Sequence, residues 1–284
     1  MMSSLRNFWR FSWRSILVAL GYLTGLILAG MIGVMLGEKL STDANSTSSF
    51  ARLFVASLLL GVFLGPFASR LALSRGQHFI LWGSLILFNM GSVTIEGAYF
   101  APSLVSIPIP VLAAQQILAT IGAALVIALV FTFSAQSVSW LSALRTRPWY
   151  SWIWRFIASA VSYLVFYFVF GGLNYQLVTK PYYESHAGGL AVPAPGIVFI
   201  IESIRSLIIV FSVFLFLLSV RGTRRQLMVS TGWLLFAIGG IVPLIWQLGT
   251  LPFFLLSASA MEIFLQNFLT GMVAARLMGI ESAY

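Results

Sequence analysis

Glu202 and Arg205 stand three residues apart inside a run, Pro195 to Val220, that is long and apolar enough to cross a bilayer. A charged side chain at the bilayer centre costs about 2.5–3.5 kcal/mol on insertion scales, so it faces a bundle interior and marks a candidate functional site. At this spacing the two can pair on one helix face, which lowers the cost of both. A second apolar run carries Glu262, with Gln266 one turn further along the same face and Asn267 beside it. A helix begun at Pro252 sets Glu262 about 15 Å deep, near the midplane. A lone ionised carboxylate is untenable there, so Glu262 must be protonated or paired. Arg205 is the cation expected inside a span, and the spacing predicts a network of Arg205 with Glu262 and Glu202. Glu96, near the end of a third run with Asn89 two turns deeper, is expected at its outer rim, either facing inward or snorkelling to the interface.

Such a network can do one of three things. It can fix helix packing, it can form a proton- or cation-coupled site, or it can place a carboxylate as acid or base against a lipid-soluble substrate. No HExxH, GxSxG, P-loop or paired DxxD motif is present, so no catalytic residue is assigned and the balance is against an enzyme. With no Cys there is no thiolate ligand or disulfide, and His78 and His186 fall on opposite sides of the expected bundle. No metal ligand set and no cofactor is therefore expected.

The elements that must position these groups are helices. Of the 284 residues 60% are hydrophobic and 8% charged, against about 25% charged in a soluble domain. Mean hydropathy is +0.97. A water-soluble fold is excluded. The net charge of +9 would suit nucleic acid in another context, but here the basic residues flank apolar runs, which is the pattern of a membrane protein. The partner is the lipid bilayer and not nucleic acid.

A span needs about 20 apolar residues. Eight runs qualify, at 15–37, 51–70, 79–100, 111–134, 152–172, 195–220, 227–247 and 251–276, the first read as an uncleaved span. Only Gly249-Thr250-Leu251-Pro252 parts the last two, which predicts a tight helical hairpin. With the N-terminus inside, the cytoplasmic side receives Arg6, Arg10, Arg14, Arg70, Arg75, Arg145, Arg147, Arg155, Arg221, Arg224, Arg225 and Arg276. The other side receives Lys39, Arg52 and Lys180. That bias places both termini in the cytoplasm. The expectation is one all-α polytopic transmembrane domain over 1–284, with a weak repeat of 1–140 in 150–284 suggested by Ser74-Arg75-Gly76 and Val220-Arg221-Gly222.

Gly21, Gly25, Ala29, Gly33 and Gly37 put a small residue at every fourth position of the first span, which lets a second backbone approach closely. Packing inside the bundle explains that face, and a homo-oligomer or membrane-complex contact is the alternative. Trp149, Trp152 and Trp154 among Arg145, Arg147 and Arg155 read as an interfacial anchor. The segment after Phe170-Gly171-Gly172, with Lys180, Glu184 and His186, is expected to be a loop of about 20 residues forming an ordered cap.

Four of the eight spans carry a further pattern. It consists of Ile95-Glu96-Gly97-Ala98-Tyr99-Phe100, Phe170 to Glu184 ending Pro-Tyr-Tyr-Glu, Arg205, and Glu262 followed by Asn267-Phe268-Leu269-Thr270-Gly271. In these residues the chain resembles a group of eight-span bacterial inner-membrane proteins whose activity is not established. The resemblance implies a shared fold, a multi-pass bacterial inner (plasma) membrane location and importance for these residues. Members of the group often carry His three residues before the last Glu, where this chain has Ser259. That departure weakens a metal or His–Glu relay here. The expected function is a small proton- or cation-coupled transporter with a site at Glu96, Glu202, Arg205, Glu262, Gln266 and Asn267. The alternatives are a non-catalytic subunit or assembly partner of a membrane complex, and an intramembrane enzyme.

Overall fold

A computed structural model describes residues 2–35, 46–101, 109–131, 139–186 and 189–280. Among the described residues the chain is helical and forms no β-strand. Eight helices are long and apolar enough to cross a membrane: α1 (Met2–Met35), α2 (Ser46–Ala68), α3 (Arg75–Phe100), α4 (Ile109–Val130), α5 (Trp149–Glu184), α6 (Pro195–Ser219), α7 (Arg224–Trp246) and α8 (Phe253–Met278). Their starts carry ordinary signals. Pro148 precedes α5 and Pro195 opens α6, where a missing N–H leaves no bond unmade. Thr223 and Gln226 form a reciprocal capping box at the start of α7. The expected α7–α8 hairpin is present. Its turn needs Gly249 at φ 79°, a left-handed conformation that side chains disfavour.

The contacts divide the chain into two compact units, residues 1–87 with 107–138 and residues 88–106 with 139–284. In the first, α1 packs on α2 and α4. Gly21 lies against the backbone of Gly122, and Gly25 against Leu118 and Ala119 of α4. Ala29 and Gly33 are also buried, whereas Gly37 lies outside the described residues. At Gly21 and Gly25 the small-residue face of α1 is thus covered by α4 of the same chain, which is the packing use of that pattern. His78 is buried in this unit and accepts a hydrogen bond from Trp82 Nε1 at 3.1 Å.

The second unit holds the end of α3 together with α5 to α8. Its tightest crossing is α7 on α8, where Gly271 meets the backbone of Thr231 and Gly232. The C-terminus of α8 is held by two arginines. Arg147 donates to the carbonyls of Leu277, Met278 and Gly279 at 2.9–3.3 Å, and Arg155 donates to Leu277. These carbonyls lack partners within their own helix and carry the negative end of its dipole. Partial burial, and then the neighbouring Arg155 charge, pull the Arg147 guanidinium below its ordinary pKa.

One element differs from expectation. The segment after Gly172 is not a loop, because α5 stays helical through Gly171-Gly172 and Pro181 to Glu184. It does so by widening into π-turns at Tyr167–Gly171 and Tyr175–Thr179. A π-turn seats one residue more than an α-turn. The turn ending at Thr179 brings Pro181 to the first positions of a fresh helical segment, where its missing donor is harmless.

The α1–α4 contact gives a direct check. Gly122→Leu is expected to lower stability by about 1–3 kcal/mol through overpacking. Gly30→Leu, at a position with open space around it, is expected to be neutral. Reversible unfolding of the purified protein in mixed micelles would measure both.

Candidate functional site

Helix α6 buries Ile201, Glu202, Arg205, Ser206, Ile209, Val210, Val213 and Phe216, a stripe with helical spacing, so its two charged groups face the interior of the second unit. Glu202 is fully buried and Arg205 is 4% exposed. Arg205 Nη1 donates to both oxygens of Glu202 at 2.6–2.7 Å, and Nη2 pairs with Glu96 Oε2 at 2.6 Å. Nε donates to the Ser92 carbonyl at 3.0 Å, one turn before Glu96 on α3. Tyr163 of α5 donates its hydroxyl to Glu202 at 3.3 Å, and its ring lies 5.9 Å from the guanidinium carbon. Three helices are joined through one cation. A buried ion pair is tolerable when its remaining hydrogen-bonding capacity is met in this way.

Glu262 stands apart from that cluster. The expected Glu262–Arg205 ion pair does not form, because both Nη atoms of Arg205 are occupied by Glu202 and Glu96. Glu262 instead accepts from two neutral amides, Asn174 Nδ2 at 2.5 Å and Gln266 Nε2 at 2.7 Å. Asn174 lies between the two π-turns of α5, and the first of these presents Gly171 to Glu262. A Cβ at Gly171 would lie 2.9 Å from Glu262 Oε1, so the carboxylate would have to shift. The Gln266 contact is the same-face i,i+4 relation expected from sequence.

A third π-turn, Ala237–Ile241 of α7, lies at the same level. Its Gly239 leaves room for both Asn89 Oδ1 and Asn267 Nδ2 where a side chain would otherwise stand. Asn267 also reaches the Leu235 carbonyl at 3.4 Å, while Asn89 Nδ2 is buried with no hydrogen-bond partner. Asn267 therefore belongs to a separate polar contact, five residues further along α8 than Glu262.

Between these groups lies a cavity of about 160 Å³, lined among others by Glu96, Tyr167, Tyr183, Gln247, Ser259 and Glu262. It opens among the ends of α3, α5, α7 and α8. Glu96 is the member of the ion-pair cluster that reaches it, with 31% of its side chain exposed, whereas Glu202 and Arg205 lie behind. Among the described lining residues none is basic. Near its rim Ala101, Leu190 and Leu255 pack with Tyr182, Tyr183 and Leu251. The Ala191 N–H donates to the Phe100 carbonyl at 2.9 Å, so the chain entering α6 is pinned across the end of α3. His186 serves that connection, with Nδ1 3.1 Å from the Leu190 carbonyl. Lys180 and Glu184 form an exposed i,i+4 pair at 3.7 Å and are not part of the lining.

The structure thus gathers Glu96, Glu202 and Arg205 into one cluster, places Glu262 with Gln266 in a second, and leaves Asn267 in a third. Sequence reasoning missed Tyr163, Tyr167, Asn174 and Tyr183. The signals were there. Tyr163 and Tyr167 are i,i+4, and Gly171-Gly172 two residues before Asn174 is a place where a helix can change its winding. Comparison with protein-family models, curated proteins and solved structures finds no match to the chain.

Removal of the shared cation tests the first cluster. Arg205→Met leaves two carboxylates without their counter-charge and is expected to lower stability by about 3–5 kcal/mol. Adding Glu202→Gln should recover part of that loss. Additive effects in the double variant would contradict the coupling.

Proposed function

We propose that this chain is a multi-pass membrane protein that moves a proton or small cation through the cavity of its second unit. The observation that carries the reading is that Glu96 and Glu262, from α3 and α8, line one cavity with no basic residue among the described lining. Arg205 is shared between Glu202 and one oxygen of Glu96 from behind the wall and does not line the cavity, so Glu262 has no counter-charge there and Glu96 keeps one oxygen free of the guanidinium. The arginine cluster holds the helices, and the two cavity carboxylates receive the cation. Intramembrane carboxylates on a cavity are the usual mark of an ion or proton path. The likeness to a group of eight-span bacterial inner-membrane proteins supports this reading, and with it a location in a bacterial plasma membrane.

In this reading both termini lie in the cytoplasm, on the side of the twelve arginines named above, and the cavity opens to the opposite side. The chain has no Cys, which makes the orientation easy to check. Single cysteines at Ser3→Cys and Ser282→Cys should react with an impermeant thiol reagent only after the membrane is opened. Labelling of either in intact cells would overturn the topology.

A second reading has its own observation. Glu202 and Arg205 are buried and paired with each other, as suits a cluster whose task is to hold helices together in a non-catalytic subunit. Flux separates the two. In proteoliposomes with an internal pH dye, the wild type should dissipate an imposed proton or cation gradient, and Glu262→Gln should lower that rate at least tenfold while remaining folded. A correctly folded wild type with no flux in either direction would leave the subunit reading standing.

A further inference from the structure

We infer that the cavity takes a small organic monocation, an alkylammonium, in preference to a metal ion. This assignment rests on the cation-site reading above and narrows it.

The polar lining is built for positive charge but poorly built for a metal. Glu96 has one oxygen on Arg205, and Glu262 has one amide donor on each oxygen. A carboxylate accepts about four hydrogen bonds, so both retain capacity toward the cavity. Among the described residues, however, no three His, Cys, Asp or Glu side chains stand together, so a divalent ion would have to draw most of its oxygen ligands from carbonyls, amides or water. Most of the remaining lining is apolar, with aliphatic side chains and three aromatic ones, Phe100, Tyr167 and Tyr183. Aromatic faces beside carboxylates suit a cation that carries alkyl groups, which a bare ion does not. The same protein already sets a cation against an aromatic face, Arg205 over Tyr163.

Size agrees with chemistry. At about 160 Å³ the cavity is roomier than a bare ion needs, yet it is below the roughly 300–1,000 Å³ of sites for drug-sized ligands. A ligand of a few heavy atoms fits that interval.

The test uses the purified full-length protein and four probes: ethylammonium, tetramethylammonium, Na⁺ and Mg²⁺. Titration calorimetry should show saturable binding of at least one ammonium ion and none of Mg²⁺. Glu262→Gln should weaken that binding at least tenfold. Tyr183→Leu should weaken it about two- to thirty-fold, with Tyr183→Phe close to wild type because the ring face remains. Should Tyr183→Leu fail to fold, the wild type alone decides, since a bound ammonium must inhibit the gradient-driven flux in proteoliposomes. Flux that depends on Glu262 but is indifferent to both ammonium ions would overturn the alkylammonium assignment and leave the cation reading intact. Absence of flux and of binding by all four probes would overturn both.

Discussion

A guanidinium held away from water constrains everything around it. Arg205 lies within an apolar helix, and its N–H groups can only be met by whatever neighbouring helices bring to that depth. Here α3 brings the Ser92 carbonyl and Glu96, while α6 itself brings Glu202, steadied by Tyr163 from α5. In hydrocarbon no water stands ready to take over a broken bond, so the mutual positions of three helices are tied to one side chain. The N-terminal part of α3 packs in the other unit, and it is the last turns, from Phe88 onward, that belong with Arg205.

The cluster also sorts the acidic residues. By binding Glu202 through both oxygens and Glu96 through one, Arg205 buries the first and leaves the second at the cavity wall. Glu262 receives amide hydrogen bonds but no counter-charge, and it looks into the same space. Polar groups that a bundle uses only for packing tend to be saturated. Glu202 and Arg205 are closed on one another, whereas Glu96 and Glu262 line the cavity.

Much of this was legible in the sequence, because hydropathy reports length and a bilayer demands a fixed length. All eight helices were expected, as were the Gly249 hairpin and the i,i+3 pairing of Glu202 with Arg205. What was not legible depended on helix winding and on which helices are neighbours. Counting depth along α8 put Glu262 near the level of Arg205 and suggested that opposite charges would meet. Depth says nothing about azimuth, and Glu96 filled the place instead. Asn174 was hidden for a related reason. Gly171-Gly172 looks like the end of a helix, whereas the chain passes through it in π-turns, so residues assigned to a loop became part of the wall.

Those π-turns carry a consequence for how the chain can change. Each holds one residue beyond the α-helical count, so removing a residue there would leave a continuous helix and not a break. Everything downstream would swing about 100° around the axis and shift about 1.5 Å along it. A deletion in the first π-turn would turn Asn174 away from Glu262 without any loss of helical content or hydrophobic length. A single-codon deletion in α5 could therefore silence the cavity while every coarse measure of the fold stayed the same. At this site the chemistry is written in the count of residues as much as in their identity.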